Sequence, residues 1–263
     1  MSPRLLKSVA ISLPALALSL GWACSAQADV LPVQNLTFQT FSGPGTPKDF
    51  FSNVNPANWF RGPPAGIADL VFIDAPGTAT TGNNPIYGPF NDPPPGGNFV
   101  QADGNPLFES QFKQTITGLT AGTQYTLTFW QAAGQQQGFT GPTTEQWLVF
   151  LGNDPVNVNC VSSPCTVSSG TDSTAASTLM STPSTGTTDW NLASVTLTAD
   201  GPSDVLSFLA WGDGGDTENL PPMVFLAGVN TPAPEPATLS LLGVGLVGLG
   251  GIMRRRAKRK TAA

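Results

Sequence analysis

The chain of 263 residues contains no histidine. Without an imidazole it cannot build a Ser-His-Asp or Cys-His catalytic arrangement, and zinc sites that use histidine are excluded too. Glycoside hydrolysis needs only two carboxylates about 5–10 Å apart. Glu109, Glu145, Asp213, Asp216 and Glu218 could supply them, but their spacing marks no pair. We therefore expect a non-enzymatic protein, with a secreted glycan hydrolase as the less favoured alternative.

Basic residues are scarce outside the two ends of the chain. Eight of the eleven lysines and arginines lie in the terminal segments. Residues 29–233 contain 16 acidic residues and three basic ones, Lys48, Arg61 and Lys113, so this part of the chain has a net charge of about −13. A surface with this charge repels phosphate backbones. Nucleic acid is therefore excluded as a partner.

Cysteine is also rare, since the chain has Cys24, Cys160 and Cys165 only. Cys24 lies in the N-terminal segment that we expect to be removed, which leaves Cys160 and Cys165 five positions apart. In an oxidising compartment such a pair most often forms a disulfide. A redox or metal-binding pair is the alternative, and the absence of histidine and of further cysteines disfavours zinc.

The N-terminus has the pattern of a secretory signal peptide. Arg4 and Lys7 precede an apolar stretch at 9–20, and Ala26 and Ala28 stand in the small-x-small arrangement that signal peptidase cleaves. Asp29 would be the first mature residue. The alternative, a membrane anchor, is disfavoured because the apolar stretch is too short to span comfortably.

The C-terminus has the pattern of a single transmembrane helix. Residues 237–253 are uncharged and mainly apolar, and a helix of that length covers about 26 Å, just enough for the hydrocarbon core. By the positive-inside rule, the cations that follow would stay cytoplasmic and residues 29–233 would lie outside the cytoplasm. A permanent single-pass anchor is one interpretation. The cations are Arg254, Arg255, Arg256, Lys258, Arg259 and Lys260.

Pro234, Glu235 and Pro236 stand directly before this apolar run and its basic end. The order of motif, span and arginine-rich cluster over residues 234–260 resembles a PEP-CTERM sorting signal. The resemblance implies export in a Gram-negative bacterium, an inner-membrane precursor with its ectodomain in the periplasm, and cleavage near the motif by an exosortase. The product would then reach the cell surface or the medium, where many such bacteria make exopolysaccharide and biofilm matrix.

The ectodomain alternates apolar and polar residues with the period of a β-strand. The clearest strands are predicted at 112–117 and 124–130, joined by a five-residue hairpin loop at 118–122. Loops are predicted at 76–98 and 162–188. The pattern predicts an all-β antiparallel sandwich at 29–233, between a signal peptide at 1–28 and the sorting segment at 234–260. Further strands are predicted at 36–40, 70–73, 99–102, 146–151, 156–160, 192–198, 205–211 and 223–229.

Segments between residues 35 and 229, most specifically 114–129, carry a second resemblance, to the galactose-binding-like jelly-roll domain found in many PEP-CTERM proteins and carbohydrate-binding modules. It implies a jelly-roll sandwich with Trp59 and Trp190 in the core. Such domains often have a structural calcium beside an acidic residue of the first strand and an Asp-Asn pair of the last. Gln39 and Ala227 with Gly228 stand there, so the resemblance does not bring the calcium with it.

Two tryptophans are candidates for a ligand-facing platform. Trp130 lies opposite Tyr125, Leu127 and Phe129 by strand alternation, and Trp211 borders an acidic cluster. We expect an exopolysaccharide or matrix glycan as the ligand. Core packing of both residues, in a purely structural surface protein, is the alternative. The acidic cluster consists of Asp213, Asp216 and Glu218. It is a weak candidate for a calcium site, and an exposed turn between two strands is the alternative.

Overall fold

The computed structural model describes residues 28–42, 55–61, 70–82, 84–108, 111–218 and 220–230. Most of the predicted signal peptide and the whole sorting segment lie outside these residues, so their predicted structure stays a prediction. The described part is built from β-strands, with two short 3-10 helices at Pro106–Phe108 and Asp213–Gly215. The strands are β1 (Asp29–Val30), β2 (Phe41–Ser42), β3 (Asn55–Pro56), β4 (Phe60–Arg61), β5 (Val71–Asp74), β6 (Phe99–Asp103), β7 (Gln111–Thr117), β8 (Gln124–Gln135), β9 (Thr143–Gly152), β10 (Asn157–Asn159), β11 (Thr166–Ser168), β12 (Ser173–Ala176), β13 (Met180–Thr182), β14 (Asn191–Thr198), β15 (Ser203–Gly212) and β16 (Pro222–Ala227).

Two large sheets face each other. The first sheet has the order β5-β6-β16-β8-β14, with β1 added in parallel to the start of β8. The second has the order β4-β7-β15-β9, and both β12 and β13 pair with β9. Across the two sheets the strand pairs are nested in chain order, with β6 on β16 and β8 on β14 in the first sheet, and β7 on β15 and β9 on β12 in the second. A long antiparallel ribbon rolled onto itself gives this order, so the fold is a jelly-roll sandwich and the predicted fold class is confirmed.

The core lies between the sheets because each strand presents alternate residues inward. Phe208 is fully buried at its centre, with its ring centroid 5.2 Å from that of Phe129 and 5.8 Å from that of Trp147. Trp59 stacks on Phe112 at 4.3 Å, which places it in the core as the jelly-roll resemblance implies. Burying each such ring contributes about 2–3 kcal/mol.

The predicted hairpin at 118–122 is wrong. β7 belongs to the second sheet, where it pairs with β15, and β8 belongs to the first. The short connection therefore crosses from one layer to the other. This connection is hydrogen-bonded to the one between β14 and β15, since the backbone N–H groups of Gly118 and Leu119 both donate to the carbonyl of Pro202.

Two further segments differ from their predictions. Residues 36–40 form a turn, with Asn35 and Phe38 at positive φ, where a strand was predicted. The segment at 162–188 was predicted as a loop, yet it contains β11, β12 and β13. In β12, at the edge of the second sheet, residues alternate between half-buried and exposed positions without becoming fully buried, so the strand pattern lacks a clear apolar face.

The predicted disulfide is confirmed, since Cys160 and Cys165 are bonded across the turn of the small β10–β11 hairpin. Within the described residues, no helix is long and apolar enough to cross a membrane. The predicted span at 237–253 lies outside them.

Candidate functional site

The outer face of the first sheet is divided into a covered part and an open part. The covered part lies over β5, β6 and β16, where residues 75–98 pack on the sheet. Ile86 from this segment is fully buried, and the ring of Phe90 lies 4.7 Å from that of Phe225. The predicted loop at 76–98 forms no named strand, and it acts as a lid of packed side chains over half of the sheet.

The open part lies over the first half of β8 and over β14. Their register places Thr126 beside Thr196, Thr128 beside Ser194, and Trp130 beside Leu192 on the solvent side. Four of these side chains carry hydroxyls that are exposed or half-exposed to solvent, beside Leu192, which is 42% exposed. Val30 of β1 continues the Thr126 row and is 66% exposed. The open face is defined by Val30, Thr126, Thr128, Trp130, Leu192, Ser194 and Thr196.

Trp130 stands where the open face meets the covered part. Its ring packs partly against the cluster beneath the lid, while its indole Nε1 is enclosed without a hydrogen-bond partner in the described part of the chain. The neighbouring Trp190 is anchored more firmly, because its Nε1 donates to the carbonyl of Asn91 at 2.7 Å. Trp130 therefore borders the open face with a half-buried ring, as the strand alternation predicted.

Trp211 occupies a different environment. It is only 8% exposed and packs with Phe150, Leu209 and Cys165 on the outer face of the second sheet, under the disulfide-closed hairpin. The predicted platform at Trp211 thus has no free face in this structure. Its sequence position beside polar residues suggested exposure, but the hairpin that covers it comes from residues about fifty positions earlier in the chain.

The acidic cluster after β15 is tied into local hydrogen bonds. Asp213 Oδ1 accepts from the backbone N–H of Thr144 at 2.7 Å, and Asp216 Oδ1 accepts from the Ser163 hydroxyl at 3.1 Å. Glu218 is exposed. Within the described residues, no group of three or more acidic or cysteine side chains could hold a metal ion. The arrangement gives no support for a calcium site here.

Three of the buried carboxyls have strongly raised pKa values. Burial raises the pKa of Asp74 to about 7, and it does the same for Asp103, where the N–H of Asn105 opposes the rise. Burial also raises the pKa of Glu145 to about 7; the hydroxyls of Thr182 and Thr143 oppose the rise, and the charge of Asp213 adds to it. Enclosed carboxyls of this kind are not placed to reach a polymeric substrate.

A shallow cleft of about 430 Å³ adjoins Glu145, since Thr144 and Thr182 are among its lining residues. The Thr182 hydroxyl at this cleft donates to Glu145 Oε1. Proline and hydroxyl side chains line the cleft, which offers no aromatic face on which a sugar could stack. The lining residues are Pro142, Thr143, Thr144, Ser181, Thr182 and Pro183.

The sequence pointed to Trp130, and the structure adds the hydroxyl rows next to it. Thr126, Thr128 and Thr196 have no signal of their own, because exposed threonines are common on the solvent side of a strand. Only the pairing of β8 with β14, more than sixty residues apart, brings them into one surface.

Comparisons with known proteins give a clear result for the tail. Residues 232–257 match the family model of the PEP-CTERM protein-sorting motif. No curated protein matches the chain.

Solved structures give weak likenesses. The enzymatically active domain of tailspike protein 4 from bacteriophage CBA120 is 12% identical with a TM-score of 0.34, and the match covers 66% of this chain and 19% of that one. TmCBM61, solved with β-1,4-galactotriose, is 12% identical with a TM-score of 0.33 and coverages of 76% and 95%. The CBM22-2 xylan-binding domain of Xyn10C from Paenibacillus barcinonensis is 12% identical with a TM-score of 0.32 and coverages of 70% and 96%. Of these comparisons the tail match is the informative one, and the chain carries a PEP-CTERM protein-sorting motif at its C-terminus.

Proposed function

We propose that this chain is an exported, non-enzymatic envelope protein whose jelly-roll ectodomain binds a polysaccharide on the open face. The sorting motif supports export and processing by an exosortase near Pro234. In the precursor the tail is held in the inner membrane with the ectodomain in the periplasm, and the processed form is released or attached at the cell surface, where matrix glycan lies.

The open face is the observation that carries the binding role. Sugars are bound by apolar contact with their C–H faces and by hydrogen bonds to their hydroxyls. Trp130 and Leu192 supply the first and Thr128, Ser194 and Thr196 supply the second, on neighbouring rows of one sheet. A flat, strand-borne surface of this kind suits an extended polymer better than a small ligand.

Binding is tested with the full chain, purified in detergent, against a panel of immobilised polysaccharides. Thr196→Arg places a bulky side chain in the middle of the open face, and Thr115→Arg is its matched control, since Thr115 is an exposed threonine on β7 of the other sheet. We expect binding that Thr196→Arg removes and Thr115→Arg leaves intact. A folded chain that binds no polysaccharide in the panel would overturn the binding role.

The processing step has its own test. Mass spectrometry of the mature protein should find a C-terminus near Pro234, and a chain that still ends beyond Lys260 would show a permanent anchor instead.

A purely structural surface protein is the second candidate. The burial of Trp211 favours it, because one of the two predicted platforms is enclosed. The same polysaccharide panel separates the two candidates, since a structural protein would show no binding that depends on Thr196.

A further inference from the structure

Two buried oxygens beneath the lid lack a hydrogen-bond partner. Asp74, at the end of β5, is 4% exposed, and Gln101, on β6, is fully buried. Within the described residues, neither Asp74 Oδ2 nor Gln101 Oε1 has a donor. A buried polar group without a partner costs about 1–3 kcal/mol, and a charged one costs more. A ligand from outside the chain would remove this cost.

The two side chains are neighbours on the outer face of the first sheet. The register places Gln101 opposite Phe72 and Asp74 opposite Phe99, so Asp74 and Gln101 are diagonal neighbours. Both phenylalanines belong to the cluster beneath the lid, which identifies the face. Diagonal neighbours of this kind are about 7–8 Å apart, within reach of a long side chain.

The lid brings backbone oxygens to the same place. A Cβ added at Gly82 would lie 3.0 Å from the carbonyl oxygen of Thr78 and 3.2 Å from Asp74 Oδ1, so this part of the lid lies directly on the carboxyl. Gln101 Nε2 donates to the carbonyl of Asn84 at 2.8 Å. The amide oxygen of Gln101 is thus the end left for another partner, beneath the same stretch of the lid.

This set of oxygens suits a hard cation. Ca²⁺ takes carboxylate, amide and backbone carbonyl oxygens, whereas softer metals prefer sulfur and imidazole. The basic side chains of the described residues, Arg61 and Lys113, lie on β4 and β7 of the second sheet, so neither neutralises Asp74.

We propose that Asp74 and Gln101 bind a calcium ion that holds the lid on the first sheet, with carbonyl groups of the lid and water as its further ligands. The site is separate from the usual calcium position of jelly-roll domains, since β6 lies between Asp74 and Ala227. It is also independent of polysaccharide binding on the open face.

The ligand set determines the expected affinity. With one carboxylate, the site should resemble weak extracellular calcium modules, with a Kd of about 1 mM. Mg²⁺ needs a smaller octahedral site and gives up its waters reluctantly, so it should bind at least about tenfold more weakly. Without the ion, burial raises the pKa of Asp74 to about 7. A proton then competes with calcium, so binding is best measured at about pH 8.

Amide hydrogen exchange on the full chain in detergent locates the ion. The N–H of Gly82 donates to the carbonyl of Thr78 within the lid. Compared with chelator, about 10 mM calcium should slow exchange at Gly82 about tenfold, because the ion must leave before the lid opens, and the same concentration of magnesium should slow it about twofold or less. The N–H of Thr144, which donates to Asp213 in the acidic cluster, is the internal control and should not change.

Matched variants test the ligands. Asp74→Asn removes the charge and keeps the shape, so it should abolish the calcium effect at Gly82. Asp92→Asn makes the same change at an exposed lid residue whose Oδ1 accepts from the N–H of Gly77, and it should keep the full effect. Gln101→Glu adds a second carboxylate and should tighten calcium binding at least about tenfold in titration calorimetry.

Every other result overturns the calcium site. Exchange at Gly82 that calcium does not slow would leave water or a shared proton as the partner of the two oxygens. Equal slowing by both cations, or slowing at Thr144 as well, would show non-specific attraction to an acidic protein. A calcium effect that survives in Asp74→Asn would exclude Asp74 as a ligand. If that variant does not fold, the comparison of calcium with magnesium on the wild type and the affinity of Gln101→Glu decide.

Discussion

The buried carboxyl of Glu145 predicts how stability depends on pH. Its pKa rises from 4.5 to about 7 in the folded chain, chiefly through burial. Between these values the folded state holds a proton that the unfolded state has lost, so the folded state binds more protons and stability falls as pH rises. Below the unfolded value both states are protonated, and above about 7 both are ionised, so the change is confined to that window.

The size of the effect follows from the two pKa values. Their difference corresponds to about 3 kcal/mol for Glu145, since each tenfold change in proton affinity is worth about 1.4 kcal/mol. Asp74 and Asp103 titrate in the same direction, from 3.8 to about 7, which corresponds to about 4 kcal/mol each before local relaxation reduces it. Stability should therefore be greatest near pH 4 and fall markedly by pH 8.

Glu145→Gln isolates one group, because an amide is neutral at every pH. We expect this variant to match the wild type near pH 4–5 and to be more stable by up to about 3 kcal/mol at pH 8. Glu218→Gln removes an exposed acid of the same type, so it corrects for the general charge of the domain. Urea unfolding from pH 4 to 8 measures both, and a Glu145→Gln curve parallel to that of Glu218→Gln would refute the reasoning.

Two further predictions concern the edges of the sandwich. Replacing Cys160 and Cys165 by serine opens a loop of about six residues, which should lower the free energy of unfolding in urea by about 2 kcal/mol relative to the oxidised protein. A reducing agent should lower the free energy of unfolding of the wild type and leave that of this variant unchanged. Asn230→Ala removes the side chain whose Oδ1 accepts from the N–H of Thr128 and whose Nδ2 donates to the carbonyl of Leu31. We expect the free energy of unfolding to fall by about 1–3 kcal/mol and the amide hydrogen of Leu31 to exchange faster. Unchanged exchange at Leu31 would contradict a role for Asn230 in holding β1.

The first half of β8 was predictable because its two faces meet different surroundings. Tyr125, Leu127 and Phe129 face the core while the residues between them face solvent, which gives a clear period of two. The second half, Gln131 to Gln135, was missed because the lid also buries its outer side. Gln131 and Gln135 point inward and donate to the carbonyls of Thr178 and Gly141, so polar side chains stand where the pattern expects apolar ones.

The candidate site was only partly predictable for a related reason. Trp130 was predictable because it is a large aromatic residue on the polar side of a strand. The burial of Trp211 depends on the β10–β11 hairpin, which packs on β15 from a distant part of the sequence. Local alternation predicts on which side of a strand a residue lies, but it does not predict which distant segment of the chain covers that side.

The two ends of the described chain meet on the same strand, and this links the tail to the open face. β1 pairs with β8 at Tyr125 and Thr126, and the backbone N–H of Asn230 donates to the carbonyl of Thr128. From Asn230 to Pro234 is four residues, which extend at most about 14 Å. With the predicted span starting at residue 237, an uncleaved tail keeps the open face within about 25 Å of the bilayer. With such a tether the bulk of the membrane would limit the approach of a long polymer, and the proposed cleavage near Pro234 would free the open face on every side.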